Sequence, residues 1–233
     1  MICIIPARSG STRLKNKNVT LLGDRPLLFH TIDAFIDHKE ISEVIFTTDS
    51  QDYIDKVSKN YGESVVCLLR PKEYASNTTK VVEEIKRILE MRGMNLHTDK
   101  FIMGLPTSPL RSRKIVENAI NFHLKYEKPI FSATEYDFPV QFAFEANETN
   151  WKPIFSDSPM LTGQTRSQDI KKLFRPNVAI YINNAKNFLK YGNLYAECAP
   201  FIMDAYTSVD VDNALDFKFA EILLNERNNV QNS

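Results

Sequence analysis

Apolar runs and amphipathic stretches alternate along the first 135 residues of this chain. Ile2–Pro6, Glu43–Thr48, Ser64–Leu69, Phe101–Leu105 and Pro129–Ala133 are short apolar runs and predict strands. Between them, Pro26–His38 carries Leu27, Leu28, Thr31, Ile32 and Phe35 on one helical face, and Asp52–Tyr61 reads as a short helix closed by Gly62. Thr78–Met91 puts Val81, Val82, Ile85, Ile88 and Leu89 on one stripe and stops at Gly93, and Ser112–Tyr126 is a further helix. Strands that are apolar on both faces, separated by helices, predict a doubly wound, mostly parallel α/β sheet.

The alternation breaks between 137 and 176. Val140–Glu145 and Trp151–Phe155 flank Ala-Asn-Glu-Thr-Asn, the pattern of a β-hairpin with a polar tip. Such an insertion is an arm for a second subunit, a lid, or a small satellite sheet, and the pattern alone does not choose. Ala179–Asn183 resumes as a strand, Phe201–Tyr206 is a candidate strand, and Asn213–Asn225 is an amphipathic helix followed by six or seven residues expected to be disordered.

The chain has 233 residues, 43% of them hydrophobic, enough for one substantial core, and is expected to form a single domain over 1–233. Lys and Arg equal Asp and Glu at 29 each, so charge does not favour nucleic acid as a partner. No run of about 18 apolar residues is present, and Met1 leads directly into a strand; neither a membrane span nor a signal peptide is expected. Cys3, Cys67 and Cys198 lie far apart without metal-ligand spacing, as small hydrophobes do in a reducing, cytoplasmic setting.

Chemistry concentrates after the first strand. Arg8, Arg13, Lys15 and Lys17 fall in one loop with no acid before Asp24, and Ser9, Gly10 and Ser11 allow a tight backbone turn. Ligands of open α/β sheets bind beyond the carboxyl ends of strands, which makes this loop a candidate phosphate receiver rather than a solvated basic loop. The Gly-x-x-x-x-Gly-Lys-Ser/Thr and Gly-x-Gly-x-x-Gly patterns are both absent, which excludes the two common glycine-rich phosphate loops.

Asp210 and Asp212 stand in Ser208-Val209-Asp210-Val211-Asp212, where alternation at a strand end puts both carboxylates on one face. That arrangement suits Mg²⁺, while Asp212 is alternatively the N-cap of the last helix. Asp49, after Thr47-Thr48, is a candidate ribose or metal ligand or a turn residue. Arg70-Pro71 and Pro106-Thr107-Ser108-Pro109-Leu110-Arg111 follow other strands and are candidate pocket walls, although either arginine alone is compatible with a surface position.

Several of these segments also resemble, in order over about 215 residues, the acylneuraminate cytidylyltransferase family, which makes CMP-activated sialic acids and related nine-carbon sugars. The matching segments are Pro6-Ala7-Arg8 with Lys17-Asn18, Thr48-Asp49, Arg70-Pro71 through Ala75-Ser76, Pro106 through Arg111, Arg166-Ser167-Gln168-Asp169, Arg175-Pro176-Asn177 and Ser208 through Asp212. The resemblance implies a nucleotide-diphospho-sugar transferase-like fold, with the 137–176 insertion as a dimerisation arm of a homodimer. It implies that Arg8, Ser9, Gly10, Lys17, Asn18, Asp49 and Arg70 bind CTP and that Asp210 and Asp212 hold Mg²⁺. Leu105, Thr107, Ser108, Gln141, Arg166, Gln168 and Asn177 then fall near the nonulosonic acid acceptor. By the same resemblance, Asp210 or its metal-bound oxygen would help deprotonate the anomeric hydroxyl that attacks the α-phosphorus of CTP and expels pyrophosphate.

Departures from the family pattern stand at Thr12, where relatives carry lysine, and at Asn77, where they carry aspartate. Leu105 replaces a glutamine, Val178 a glycine, and Gln141 a lysine found in some sialic-acid members. Leu105, Gln141 and Val178 are expected to border the sugar, and leucine in place of an amide disfavours a hydroxyl-rich group. The expected acceptor is therefore a deoxy, N-acylated relative of sialic acid, of legionaminic or pseudaminic type. Phe138-Pro139-Val140-Gln141 resembles pseudaminate-directed members, and Arg175-Pro176-Asn177 resembles sialic and legionaminic ones. Transfer to the eight-carbon acid Kdo and a non-catalytic nucleotide-sugar-binding module are the competing readings.

Overall fold

A computed structural model describes residues 1–10, 13–74, 80–164 and 166–231. The strands are β1 (Ile2–Ala7), β2 (Leu21–Leu22), β3 (Arg25–Pro26), β4 (Glu43–Thr48), β5 (Val66–Leu69), β6 (Lys100–Met103), β7 (Ile130–Glu135), β8 (Phe144–Ala146), β9 (Trp151–Pro153), β10 (Phe174–Asn184) and β11 (Ala199–Ile202). The helices are α1 (Leu27–Phe35), α2 (Gln51–Tyr61), α3 (Val81–Met91), α4 (Arg113–Tyr126), α5 (Pro159–Thr162), α6 (Ala185–Tyr191) and α7 (Ala214–Gln231).

Seven strands form one sheet in the order β11-β7-β10-β6-β1-β4-β5. All its neighbouring pairs are parallel except those of β10, which runs antiparallel to both β6 and β7. Alternation along β1 feeds two cores. Cys3, Ile5 and Ala7 join the layer of α1, α2 and α4, while Ile2 and Ile4 join that of α3 and α6. Burial on both faces is why these strands read as unbroken apolar runs. A third cluster joins α7 to the loops through Leu22, Leu27, Leu110, Val211, Ala220 and Leu224. The three cysteines are free thiols, Cys3 fully buried and the other two half-buried.

Helix starts follow local chemistry. Ser50, Ser112 and Asn184 cap α2, α4 and α6 with side-chain oxygens, and Gly62 closes α2 at φ +52°.

The structure corrects the sequence reading at several boundaries. The strand expected over Ala179–Asn183 is the long antiparallel β10, beginning at Phe174, and the candidate strand at Phe201–Tyr206 is Ala199–Ile202. Val140–Phe142 is a 3₁₀ turn, so the hairpin is shortened to β8 and β9, closed by Asn147 through its backbone and side chain. The last helix continues to Gln231, through most of the last six or seven residues that were expected to be disordered. Arg227 holds it by donating to the Leu110 carbonyl at 3.2 Å. Among the helices and strands, α5, α6 and the β2–β3 turn were missed, each too short to show a period.

Candidate active site

The strand order decides which loops meet. Reading across the carboxyl edge, Val178 of β10 comes first, then Leu105 after β6, Arg8 after β1, Asp49 after β4 and Arg70 after β5. A cleft of about 550 Å³ runs along this edge, lined by Arg8, Gly10, Arg13, Lys17, Asn18 and Arg70, by Asp210 and Asp212, and by Pro6, Ala7, Val81, Leu105, Pro106, Thr107 and Val178. Cations, carboxylates and an aliphatic wall thus share one depression at the place where α/β sheets bind ligands.

The basic loop is held from beneath. Ser9 donates through its backbone N–H to Asp49 Oδ1 at 2.8 Å and through its hydroxyl to Oδ2 at 3.1 Å. Asp49 therefore acts on the loop and is not among the residues lining the cleft. Asn18 ties back by donating to the Arg8 carbonyl at 2.9 Å, which leaves its buried Oδ1 without a partner. Lys17 is 6% exposed and spans the chain to donate to the Val211 carbonyl at 2.5 Å, with its ammonium 3.4 Å from Asp212. Lys17 thereby joins the basic loop to the acidic segment.

Residues 209–213 are an extended segment and not the strand end expected from the sequence. The alternation nevertheless works, because Val211 is buried in the third cluster while the carboxylates on either side face the cleft. Thr107 fixes the segment twice, accepting from the Val211 N–H at 2.7 Å and hydrogen-bonding the Asp210 carboxylate. Burial, followed by the charge of Asp212, raises the Asp210 pKa above the ordinary carboxylate value, against the pull of Thr107 and Lys17. One oxygen of Asp210, Oδ1, is buried without a partner. Asp212 faces Arg13 at 3.0 Å as well as Lys17.

The alternative role of Asp212 as helix cap falls to its neighbour. Asn213 Oδ1 accepts from the N–H groups of Leu215 and Asp216, and the Asp216 carboxylate accepts in return from those of Asp212 and Asn213. Asp212 is left to the cleft.

The donor set fits Mg²⁺. Two carboxylates, one with an orphaned buried oxygen, suit an ion that keeps several waters and takes further ligands from phosphate. Among the described residues no group of three acidic, histidine or cysteine side chains that could hold a metal ion converges.

Arg70 and Arg111 are both buried, so the surface alternative fails for each. Arg70 lines the cleft and donates to the Thr47 carbonyl at 3.3 Å, with Glu84 at 3.7 Å offsetting the burial that lowers its pKa. Glu84 itself is fully buried and receives Thr47 and two nitrogens of Arg87. It was missed, although an acid inside the apolar stripe of α3 is the kind of signal that marks a buried partner. Arg111 donates to the Ala179 carbonyl at 2.6 Å and to Thr31 Oγ1 at 2.8 Å, and stacks over Phe35. Without a carboxylate nearby, burial pushes its pKa down to about 9. Gly104 makes room for this clamp, since a Cβ there would lie 2.2 Å from the Phe35 ring.

Several expected acceptor residues are not brought to the cleft within this chain. Asn177 is buried and donates to Ser208 Oγ at 2.8 Å, and Ser108 is fully buried beneath the loop. Gln141 donates to the Lys171 carbonyl at 2.7 Å, while Arg166 and Gln168 are exposed. All five are absent from the lining. Of the other two cations of the basic loop, Arg13 lines the cleft and Lys15 is exposed outside it. Ser11, Thr12, Ala75-Ser76 and Asn77 lie outside the described residues.

A basic loop thus faces paired carboxylates at the edge of an α/β sheet. The chain belongs to the cytidylyltransferase family, whose model matches residues 2–225. It is 32% identical over 233 residues to an N-acylneuraminate cytidylyltransferase of Escherichia coli O18:K1:H7, covering 98% of this chain and 53% of that protein. The chain thus spans about half the length of that relative. It is 30% identical to a pseudaminic acid cytidylyltransferase of Campylobacter jejuni serotype O:2, over 95% of both proteins. The fold is that of a CMP:2-keto-3-deoxy-manno-octonic acid synthetase solved with CTP, at a TM-score of 0.67 and 14% identity over 97% of this chain and 98% of the other.

Proposed function

We propose that this protein transfers the cytidylyl group of CTP to a sialic-acid-like nine-carbon keto-sugar acid of the N-acylneuraminate, legionaminate or pseudaminate type, releasing the CMP-sugar and pyrophosphate. One observation carries the reading: the basic loop and the Asp210–Asp212 pair face each other across one cleft, tied together by Lys17. Family membership and the relatives' names supply the nucleotide and the acceptor class.

In this reading Arg8, Arg13 and Lys17 neutralise the triphosphate, helped by the backbone at Ser9 and Gly10, with Asn18 and Arg70 completing the nucleotide pocket. Mg²⁺ held by Asp210 and Asp212 would supply charge neutralisation between those carboxylates and the phosphates. The anomeric hydroxyl of the sugar attacks the α-phosphorus, Asp210 helps to take its proton, and the P–O bond to pyrophosphate breaks. The cations meet the charge that develops on the leaving group, an electrostatic contribution that a dry cleft strengthens.

The protein acts as a cytoplasmic homodimer in surface-glycan synthesis. Its β8–β9 hairpin exposes Phe144 and Trp151, edge to face at 5.9 Å, with Ile154 exposed beside them. These residues are the apolar core expected of a subunit contact. Gln141, Arg166 and Gln168 lie on the same inserted stretch.

Pyrophosphate release with CTP, Mg²⁺ and a panel of nine- and eight-carbon keto-acids tests the reading. Turnover is expected on a nine-carbon acid. Turnover confined to the eight-carbon acid would select the Kdo alternative, and CTP binding without turnover on any sugar would select the non-catalytic module.

A further inference from the structure

Val178 has a backbone that its side chain disfavours. Its φ is +55°, in the left-handed region, where Cβ crowds the neighbouring carbonyl and β-branched residues are rare. Strain of this kind persists only where the surroundings over-determine it, and here they do. The residue sits in an irregularity of β10, where the register with β7 shifts between Pro176 and Tyr181. On one side Asn177 is locked, donating to Ser208 Oγ at 2.8 Å and receiving the Ala179 N–H at 3.4 Å. On the other, the Ala179 carbonyl takes Arg111 Nη1 at 2.6 Å and the Ile180 N–H donates to Ser132 Oγ at 2.7 Å.

Nothing in this frame requires a branched side chain. Glycine adopts the same backbone without penalty, so the isopropyl group has its use elsewhere. Val178 lines the cleft and packs with Leu105 against the core of α3 and α6. Tyr181 of β10 pairs with Met103 of β6, and Val178 and Leu105 both border the cleft beyond that pair, where β6 gives way to its loop. Arg111 Nη2 also approaches the Leu105 carbonyl at 3.4 Å, so one buried guanidinium fixes the backbone beside both residues. They form the end of the cleft farthest along the sheet from Arg70.

We infer that Val178 is a specificity-determining residue for the sugar acceptor, its strained side chain completing with Leu105 an aliphatic wall that favours a methyl-bearing or deoxy position over a hydroxylated one. This inference rests on the nucleotidyl-transfer reading above. A hydroxyl pressed against two aliphatic side chains loses its water and gains no partner, whereas a methyl group loses nothing and buries surface.

The test compares wild type, Val178→Gly and Val178→Thr by pyrophosphate release at saturating CTP and Mg²⁺, with N-acetylneuraminate and a deoxy di-N-acylated nonulosonate as acceptors. Wild type should prefer the deoxy acceptor in kcat/KM. Val178→Gly should reduce that preference about tenfold, through the KM of the sugar, with the KM of CTP unchanged. Its thermal midpoint should hold or rise, because glycine relieves the backbone. Val178→Thr keeps the shape, adds a hydroxyl and should shift the preference in the same direction, which preserves the test if the glycine variant folds poorly. An active wild type whose acceptor ratio is unmoved by both substitutions would overturn the role of Val178 and leave nucleotidyl transfer standing. Wild type inactive on every acceptor would overturn the transfer reading and this inference with it.

Discussion

Asp212 shows how the fold leaves one side chain to the cleft. It pairs with Arg13 and Lys17, and the helix behind it is capped by Asn213, so capping does not compete for its carboxylate. Replacing it by alanine should abolish Mg²⁺-dependent turnover while the fold survives, measured as pyrophosphate release beside a thermal melt; unchanged activity would remove Asp212 from the metal site. Lys17 is different, since its ammonium serves the Val211 carbonyl as well as the cleft. Lys17→Met leaves that carbonyl unsatisfied, so a loss of about 1–3 kcal/mol of stability should accompany loss of turnover. Denaturant titration checks the first effect and initial rates the second. Leu105→Gln restores an amide to the aliphatic wall and should raise activity on N-acetylneuraminate relative to a deoxy acceptor, as a competition assay with both sugars would read.

At the scale of elements, α7 and the segment before it behave as one device. Val211 plugs the third core cluster, Thr107 grips the backbone on one side, and the reciprocal Asn213–Asp216 caps start the helix on the other. Asn213→Ala should cost about 1 kcal/mol of stability. The cap also positions Asp212, so the apparent affinity for Mg²⁺ in turnover should weaken in the same variant. A thermal shift without any change in Mg²⁺ dependence would separate the cap from the site. The antiparallel β10 works similarly, since its interruption near Val178 aims a residue at the cleft that a regular strand would aim elsewhere.

For the whole molecule, the exposed hairpin sets the expectation. Trp151 is 53% exposed and Phe144 52%, on a two-stranded sheet that shares no ladder with the main one. Trp151→Asp should shift the protein to monomer in sedimentation experiments. Activity should fall with it if residues of the inserted stretch complete a neighbour's site. A dimer unaffected by the substitution would move the contact to another face.

The apolar runs and stripes determined the α/β class, most strands and helices, and the place of the basic loop after the first strand, because two-sided burial and helix period are written locally. Lys17, Asp210 and Asp212 were legible too, as charged residues next to strand-like runs. Tertiary structure alone decided that β10 runs antiparallel, since strand direction depends on partners far away in the chain. It also decided that Asp49 and Asn177 brace loops, that Arg111 is a buried clamp, and that Asn213 takes the cap from Asp212. Each of these outcomes turns on which hydrogen-bonding partner folding brings within about 3 Å, and residue type does not encode that distance.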